Sequence, residues 1–164
     1  MGKLARFLAV AVAGVILILL LRGILFPPED DETQIRRLVQ TAASRFEAGS
    51  ANGILRLLHD DFGETTTGWS RDEIGRGLRY LFRAERDRKT GELPFTVDVP
   101  DEGVEVLLGP EPDRATVALK SIFRDAAEEP IWEVSVEAGV ARDDGGRWKF
   151  VESKHRTLSG RSPF

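Results

Sequence analysis

Few residues in this sequence are able to do acid–base or metal chemistry. His59 is followed directly by Asp60 and Asp61, and His155 is the second of two histidines. Carboxyl, phenol and imidazole groups are the usual proton carriers, so the candidate catalytic residues are Asp61, Tyr80 and His155. Consecutive side chains point in different directions, so the run from His59 to Asp61 favours a helix-terminal and loop-capping role over a metal site. We expect no metal site and no cofactor.

The position of His155 on the last predicted strand decides what it faces. Simple alternation places it on the face opposite Trp148 and Phe150. Histidines outside recognised motifs are mostly surface residues, and we expect His155 to be one.

Signatures of known enzyme classes are missing from the chain. No glycine-rich phosphate loop follows a predicted strand, no Gly-x-Ser-x-Gly occurs, and no histidine pair has the spacing of metal ligands. The absence of cysteine excludes disulfides, thiolate metal sites and cysteine nucleophiles. These absences favour a binding function over catalysis.

Three aromatic side chains with a polar edge are candidates for an apolar ligand pocket: Trp69, Tyr80 and Trp132. Such side chains pack well against small apolar molecules. The alternative is that they belong to the core.

A basic stripe follows helical spacing and is our candidate partner surface: Arg76, Arg79, Arg83 and Arg86. Because Glu85 and Asp87 interrupt it, a solvated helix face is the alternative. From Glu29 onward the chain holds 20 basic and 27 acidic residues, a net charge of −7. That balance argues against a nucleic-acid-binding surface.

The elements that position these residues begin with an apolar segment. As a helix, the segment from Leu4 to Phe26 would be about 35 Å long, enough for a hydrocarbon core of ~30 Å. A cleaved signal peptide is the alternative, but no small-x-small cleavage site follows the segment. We predict a cytoplasmic tip and transmembrane helix over residues 1–26, with a linker at 27–31 that Pro27 and Pro28 begin.

Charge bias sets the expected orientation of this anchor. Lys3 and Arg6 precede the apolar core, whereas Arg22 on the other flank is followed by the acids Glu29 to Glu32. The positive-inside tendency places the N-terminus in the cytoplasm and the domain outside. The expected location is the periplasmic side of a bacterial inner membrane.

Helical spacing dominates the first half of the domain predicted at residues 32–157. Apolar residues from Ile35 to Phe46 predict a helix that ends near Gly49, and Ser50 caps a shorter one that closes at His59 to Phe62. The capping box at Ser70 to Glu73 starts a third helix.

From Pro94 the apolar period changes to two, which predicts about five strands ending in a hairpin at residues 143–146. Residues 158–164 are predicted to be a loose tail. Helices followed by antiparallel strands indicate an α+β domain, with three helices on a curved sheet.

The stretch from Phe46 to Phe62 carries a family resemblance. Its Ala48-Gly49 helix end, Gly53-Ile54, Leu57 and Asp60-Asp61, with the closing Gly145-Gly-Arg-Trp-Lys-Phe150, resemble the nuclear transport factor 2-like (NTF2-like) superfamily, also called SnoaL-like or cystatin-like. The resemblance implies a cone-shaped α+β domain with a pocket, often dimeric through its sheet. In the ketosteroid isomerase branch, the catalytic tyrosine and aspartate places fall near Ala42 and Thr66 here, which cannot replace them.

This superfamily includes enzymes, binding modules and assembly proteins, so fold alone does not fix function. Our leading hypothesis is a membrane-tethered extracytoplasmic binding or protein-interaction module for a protein partner or a small apolar ligand. The alternatives are a small-molecule isomerase, cyclase or hydratase that uses the cone pocket, and an envelope or secretion-system assembly component.

Overall fold

The computed structural model describes residues 29–162. Within this range, three α-helices precede most of the sheet: α1 (Asp31–Glu47), α2 (Ala51–Leu55) and α3 (Arg71–Glu85). As predicted, α3 begins with a capping box, in which the Ser70 amide and hydroxyl both donate to Glu73 Oε2, at 2.8 and 2.7 Å. Helix α2 is capped by Ser50, whose hydroxyl accepts the Gly53 amide.

Seven strands form one mixed sheet, with the lateral order β2-β1-β7-β6-β5-β3 and with β4 also paired to β5. All pairs are antiparallel except β1 with β7, which is parallel. The strands are β1 (Leu58–Glu64), β2 (Trp69–Ser70), β3 (Phe95–Asp98), β4 (Glu105–Leu108), β5 (Arg114–Asp125), β6 (Pro130–Arg142) and β7 (Trp148–Gly160). A short 3₁₀ turn, Asp101–Gly103, precedes β4.

The α+β architecture and the five strands after Pro94 agree with the sequence prediction, but the count of five is wrong because β1 and β2 were not foreseen. The second helix ends at Leu55, and His59 to Phe62 belong to strand β1 instead of a helix end. Pairing with β7 fixes this strand, since Gly63 lies opposite Glu152.

Strand β7 also extends further than predicted. Gly160 pairs with Trp132 and Ser159 with Glu133, so residues 158–160 continue the sheet instead of starting a tail. In this pairing the backbone amides and carbonyls of residues 158–160 form hydrogen bonds with β6, whereas in a free tail they would bond only to water.

The core lies between the helices and one face of the sheet. Ile35, Leu38 and Val39 of α1 pack against Val117 and Val140. At the other end of α1, the Phe46 ring contacts aromatic rings from α3, β3 and β5, with centroid distances of 5.3 to 6.1 Å: Phe82, Phe95 and Phe123. The face of the sheet that carries these contacts is called the inner face below.

No helix within residues 29–162 is long and apolar enough to cross a membrane. The predicted anchor, Leu4 to Phe26, lies outside the described residues.

Candidate functional site

A cavity of about 300 Å³ lies between the helices and the inner face of the sheet. Helices α1, α2 and α3 contribute Val39, Ala42, Ala43, Phe46, Ile54, Ile74 and Leu78. The strands contribute Leu58, Phe62, Val97, Leu119, Ser121, Phe123, Val136, Ala138, Phe150 and Ser153, and Val99 comes from the loop after β3. The volume is at the lower end of the range for small-molecule sites, ~300–1,000 Å³.

The wall of this cavity is almost entirely apolar. Ser121 and Ser153 supply the only polar side chains among its lining residues, and no ionisable side chain is present in that set. Ala42 is among the lining residues and presents only a methyl group to the cavity. Such a wall can exclude water and hold an apolar molecule, but it has no group that could exchange a proton at neutral pH.

A buried carboxylate lies beside the cavity on β1. Glu64 is only 6% exposed and is the strand partner of Ser153. Its oxygens accept the Thr66 amide at 3.0 Å, and the Thr67 amide and hydroxyl at 2.6 Å each. Burial alone raises the pKa of Glu64, but the hydrogen bonds from Thr67 and Thr66 outweigh it and lower the pKa to about 2. Glu64 is therefore an anion that closes the turn after β1.

His155 contacts this carboxylate directly, with 3.2 Å between its Nδ1 and Glu64 Oε1. The backbone amide of His155 also donates to the Thr66 hydroxyl at 3.0 Å. The imidazole is 36% exposed, so it lies at the boundary between interior and solvent instead of fully at the surface.

A β-bulge determines which way His155 points. Phe150 pairs with Val140, but the next pair is Glu152 with Gly139, so Val151 is an extra residue in β7. Beyond the bulge, His155 lies opposite Val136, which lines the cavity. The expectation that His155 lies on the face opposite Phe150 is therefore wrong, because one extra residue moves every following side chain to the other face.

The structure does not bring the three catalytic candidates together. The Asp61 side chain is 95% exposed, and its nearest basic group is His59, at 3.9 Å. Tyr80 is 76% exposed on the outer side of α3. Only His155 lies near the cavity, and its partner there is Glu64, which sequence reasoning missed. The segment 29–162 contains no group of three or more histidine, aspartate or glutamate residues placed to hold a metal ion.

The aromatic residues predicted for the pocket also separate. Trp132 is a core residue, 8% exposed, and its Nε1 donates to the Thr157 hydroxyl at 3.0 Å. Trp69 and Tyr80 are exposed and line a second recess, on α3. None of the three is among the residues that line the cavity.

The arginine stripe divides into two parts. Arg86 donates to the carbonyls of Ala48 and Gly49, at 3.1 and 3.4 Å, and so satisfies the C-terminal end of α1. Arg76, Arg79 and Arg83 are exposed on α3.

The sequence matches no protein-family model and no curated protein. Solved structures do match in fold. A cystatin-like protein of unknown function from Nostoc punctiforme gives a TM-score of 0.60 at 12% identity, covering 77% of this chain and 90% of that chain. An NTF2-like protein of unknown function from Pseudomonas aeruginosa gives a TM-score of 0.59 at 19% identity, and the match covers 77% of this chain and 99% of that chain. The domain has the NTF2-like, cystatin-like fold.

Two further cystatin-like neighbours carry names taken from enzymes. A ketosteroid isomerase-like protein from Erwinia carotovora gives a TM-score of 0.55 at 14% identity, covering 80% of this chain and 99% of that chain. A candidate scytalone dehydratase from Novosphingobium aromaticivorans gives a TM-score of 0.60 at 18% identity, and the match covers 79% of this chain and 85% of that chain. Identities this low show a shared fold and carry no residue roles to this chain.

Sequence reasoning missed the cavity wall and the Glu64–His155 pair. The alternation of Leu119, Ser121 and Phe123 in β5 was a usable signal for one inward face. No local signal linked Glu64 to His155, because 91 residues separate them in the chain.

Proposed function

We propose that this protein is a membrane-tethered, extracytoplasmic binding module whose cystatin-like domain holds a small apolar molecule in its cavity, without a chemical step. The observation that carries the proposal is the wall of the cavity, which has two serine hydroxyls and no titratable side chain. Apolar burial would supply the affinity, and Ser121 and Ser153 would orient one polar end of the ligand. An envelope or secretion-system assembly component is a narrower version of the same proposal.

Ala138 offers a direct test, because it lines the cavity and is 3% exposed on β6. Ala138→Leu would fill part of the cavity and is expected to weaken binding at least about tenfold, at a cost in stability of roughly 1–3 kcal/mol. The probe is N-phenylnaphthylamine fluorescence with the full chain in nanodiscs, corrected with empty nanodiscs.

The matched control is Ala118→Leu. Ala118 lies on the neighbouring strand β5, next to Val117 and Leu119, and its side chain points away from the cavity. Binding to this variant is expected to equal that of the unchanged protein. Equal binding by all three proteins, or no saturable binding by the unchanged protein, would contradict the proposal.

An isomerase, cyclase or hydratase is the second candidate, and one observation favours it. His155 lies on the inner face, two residues beyond Ser153, which lines the cavity. Against it, Glu64 is held as an anion by three hydrogen bonds and does not line the cavity. Turnover of a β,γ-unsaturated ketone that disappears in His155→Gln would support catalysis over simple binding.

A further inference from the structure

Strand β2 and helix α3 each present one exposed aromatic ring to solvent. Trp69, just before the helix, is 45% exposed, and Tyr80 within it is 76% exposed. Between them lies a groove of about 440 Å³ with a mostly apolar lining: Phe46, Trp69, Ile74, Gly77, Leu78, Tyr80, Leu81, Ala84 and Glu85. We call it the α3 groove. Large exposed aromatics around a recess are typical of protein-interaction sites.

Small residues on α3 make room for this groove. The Trp69 ring packs on Gly77, where an added Cβ would lie 3.1 Å from Trp69 Cζ3. Tyr80 follows three residues later, and Ala84 follows four residues after that, so all three lie on one face of the helix. Because Gly77 and Ala84 have no large side chain, the helix surface between the two rings is recessed. The buried Leu81 also lines the groove.

Basic side chains flank the groove on its solvent side. Arg76 precedes Tyr80 by four residues and Arg83 follows it by three, so both share its face of the helix. Arg76 is 68% exposed and has a long ion pair with Glu73, at 3.9 Å. Arg83 is exposed and forms no ion pair within residues 29–162. The two guanidinium groups place positive charge beside an apolar recess on a domain whose net charge is −7.

We propose that the α3 groove is a docking site for an acidic, amphipathic segment of a partner protein. An apolar side chain of that segment would enter the recess between Trp69 and Tyr80. Its carboxylates would pair with Arg76 and Arg83, since guanidinium groups bind carboxylates in a bidentate manner. The groove shares Phe46, Ile74 and Leu78 with the wall of the cavity. Trp69, Tyr80 and both arginines do not line the cavity, so the docking proposal does not depend on the apolar ligand proposed there.

The shape and the acids of the groove favour a protein segment over an anionic membrane. A concave recess accepts an inserted side chain, whereas a lipid surface is bound by apolar residues that protrude into it. Glu85 lines the groove and Glu73 lies beside Arg76. Both would repel a uniform layer of anionic headgroups, but a peptide can place its carboxylates next to the arginines alone.

Photo-crosslinking in cells that make the full chain tests this proposal. A benzoylphenylalanine at position 80 is expected to crosslink to one partner segment, which mass spectrometry would show to be net acidic with spaced apolar residues. The charge reversals Arg76→Glu and Arg83→Glu together are expected to lower the crosslink yield about tenfold or more. The same reversal at Arg156, which is exposed on β7 away from α3, is the control and is expected to leave the yield unchanged.

A synthetic peptide of the recovered segment then supplies an affinity measurement. Trp69→Ala is expected to weaken its binding about 30-fold, as for a central aromatic anchor. Each variant is first checked for unchanged circular dichroism and unchanged N-phenylnaphthylamine binding, which separates loss of the groove from loss of the fold or of the cavity. Crosslinks only to lipid, only to a second copy of this chain or to a segment without acidic residues would overturn the proposal, as would the absence of crosslinks.

Discussion

Glu64 shows how one side chain acts on its neighbours. It is buried, yet it stays charged because two backbone amides and a hydroxyl from the turn after β1 donate to it. His155 completes the contact from β7, so a single carboxylate joins two parallel strands and a turn. A carboxyl group with so low a pKa is a poor general base, which argues for a structural role.

Replacement of Glu64 tests this role through the pH dependence of stability. The pKa of Glu64 falls from 4.5 to about 2 on folding, so its contribution is fully present above about pH 4.5 and is lost as the pH falls toward 2. Glu64→Gln should lower the free energy of unfolding by about 1–3 kcal/mol at pH 7 and much less near pH 2. Urea unfolding of both proteins between pH 2 and pH 7 measures this difference in the free energy of unfolding.

The control for this experiment is Glu137→Gln on β6. Glu137 is half exposed and pairs with Lys154 on the surface, at 2.9 Å. Surface ion pairs contribute little to stability, so this variant should follow the unchanged protein. If both variants gave the same pH profile, the assigned role of Glu64 would be wrong.

Strand β7 shows how an irregular element sets the site. The bulge at Val151 turns Ser153 and His155 to the inner face, although simple alternation from Phe150 would turn them outward. The extra residue thereby gives the cavity its Ser153 hydroxyl and Glu64 its histidine partner. A bulge beside a site is a common way to redirect side chains.

Deletion of Val151 should remove both features at once. The residues after it would shift to the other face of the sheet, and the domain should lose about 3 kcal/mol or more of stability. Val151→Ala keeps the residue count and should cost only about 1 kcal/mol. Urea unfolding compares the two variants, and a deletion no more harmful than the alanine variant would show that the register has no such importance.

The whole molecule combines an acidic domain with an apolar N-terminal segment. Helix α1 begins at Asp31, so the predicted linker is left with four residues, 27–30, which would span at most about 14 Å when extended. In the proposed arrangement the domain would therefore work close to the membrane. An apolar ligand is consistent with this arrangement, because apolar molecules are concentrated in the membrane beside which the domain would lie.

Cysteine labelling tests the proposed orientation. The chain contains no cysteine, so a single introduced thiol reports one position without background. We expect Arg88→Cys, in the exposed loop after α3, to react with a membrane-impermeant maleimide in spheroplasts. Gly2→Cys, the matched control at the other end of the segment, should react only after permeabilisation. The reverse pattern would place the domain in the cytoplasm.

The sequence by itself determined the parts that depend on local patterns. Helical spacing from Ile35 to Phe46 and the capping box at Ser70 identify α1 and α3, because both the apolar period of a helix and its N-terminal cap are formed by residues close together in the chain. Alternation after Pro94 predicted five strands and the α+β class. The apolar run from Leu4 to Phe26 predicts an anchor in the same local way, outside the described residues.

Only the tertiary structure decided the parts that depend on distant partners. Strand β1 has a polar sequence, and it is a strand because β7 pairs with it from more than 80 residues away. Glu64 and His155 meet for the same reason, and the bulge at Val151 is visible only against the register of β6. The cavity also required the fold, because no single element encloses it: its apolar wall comes from three helices and five of the strands.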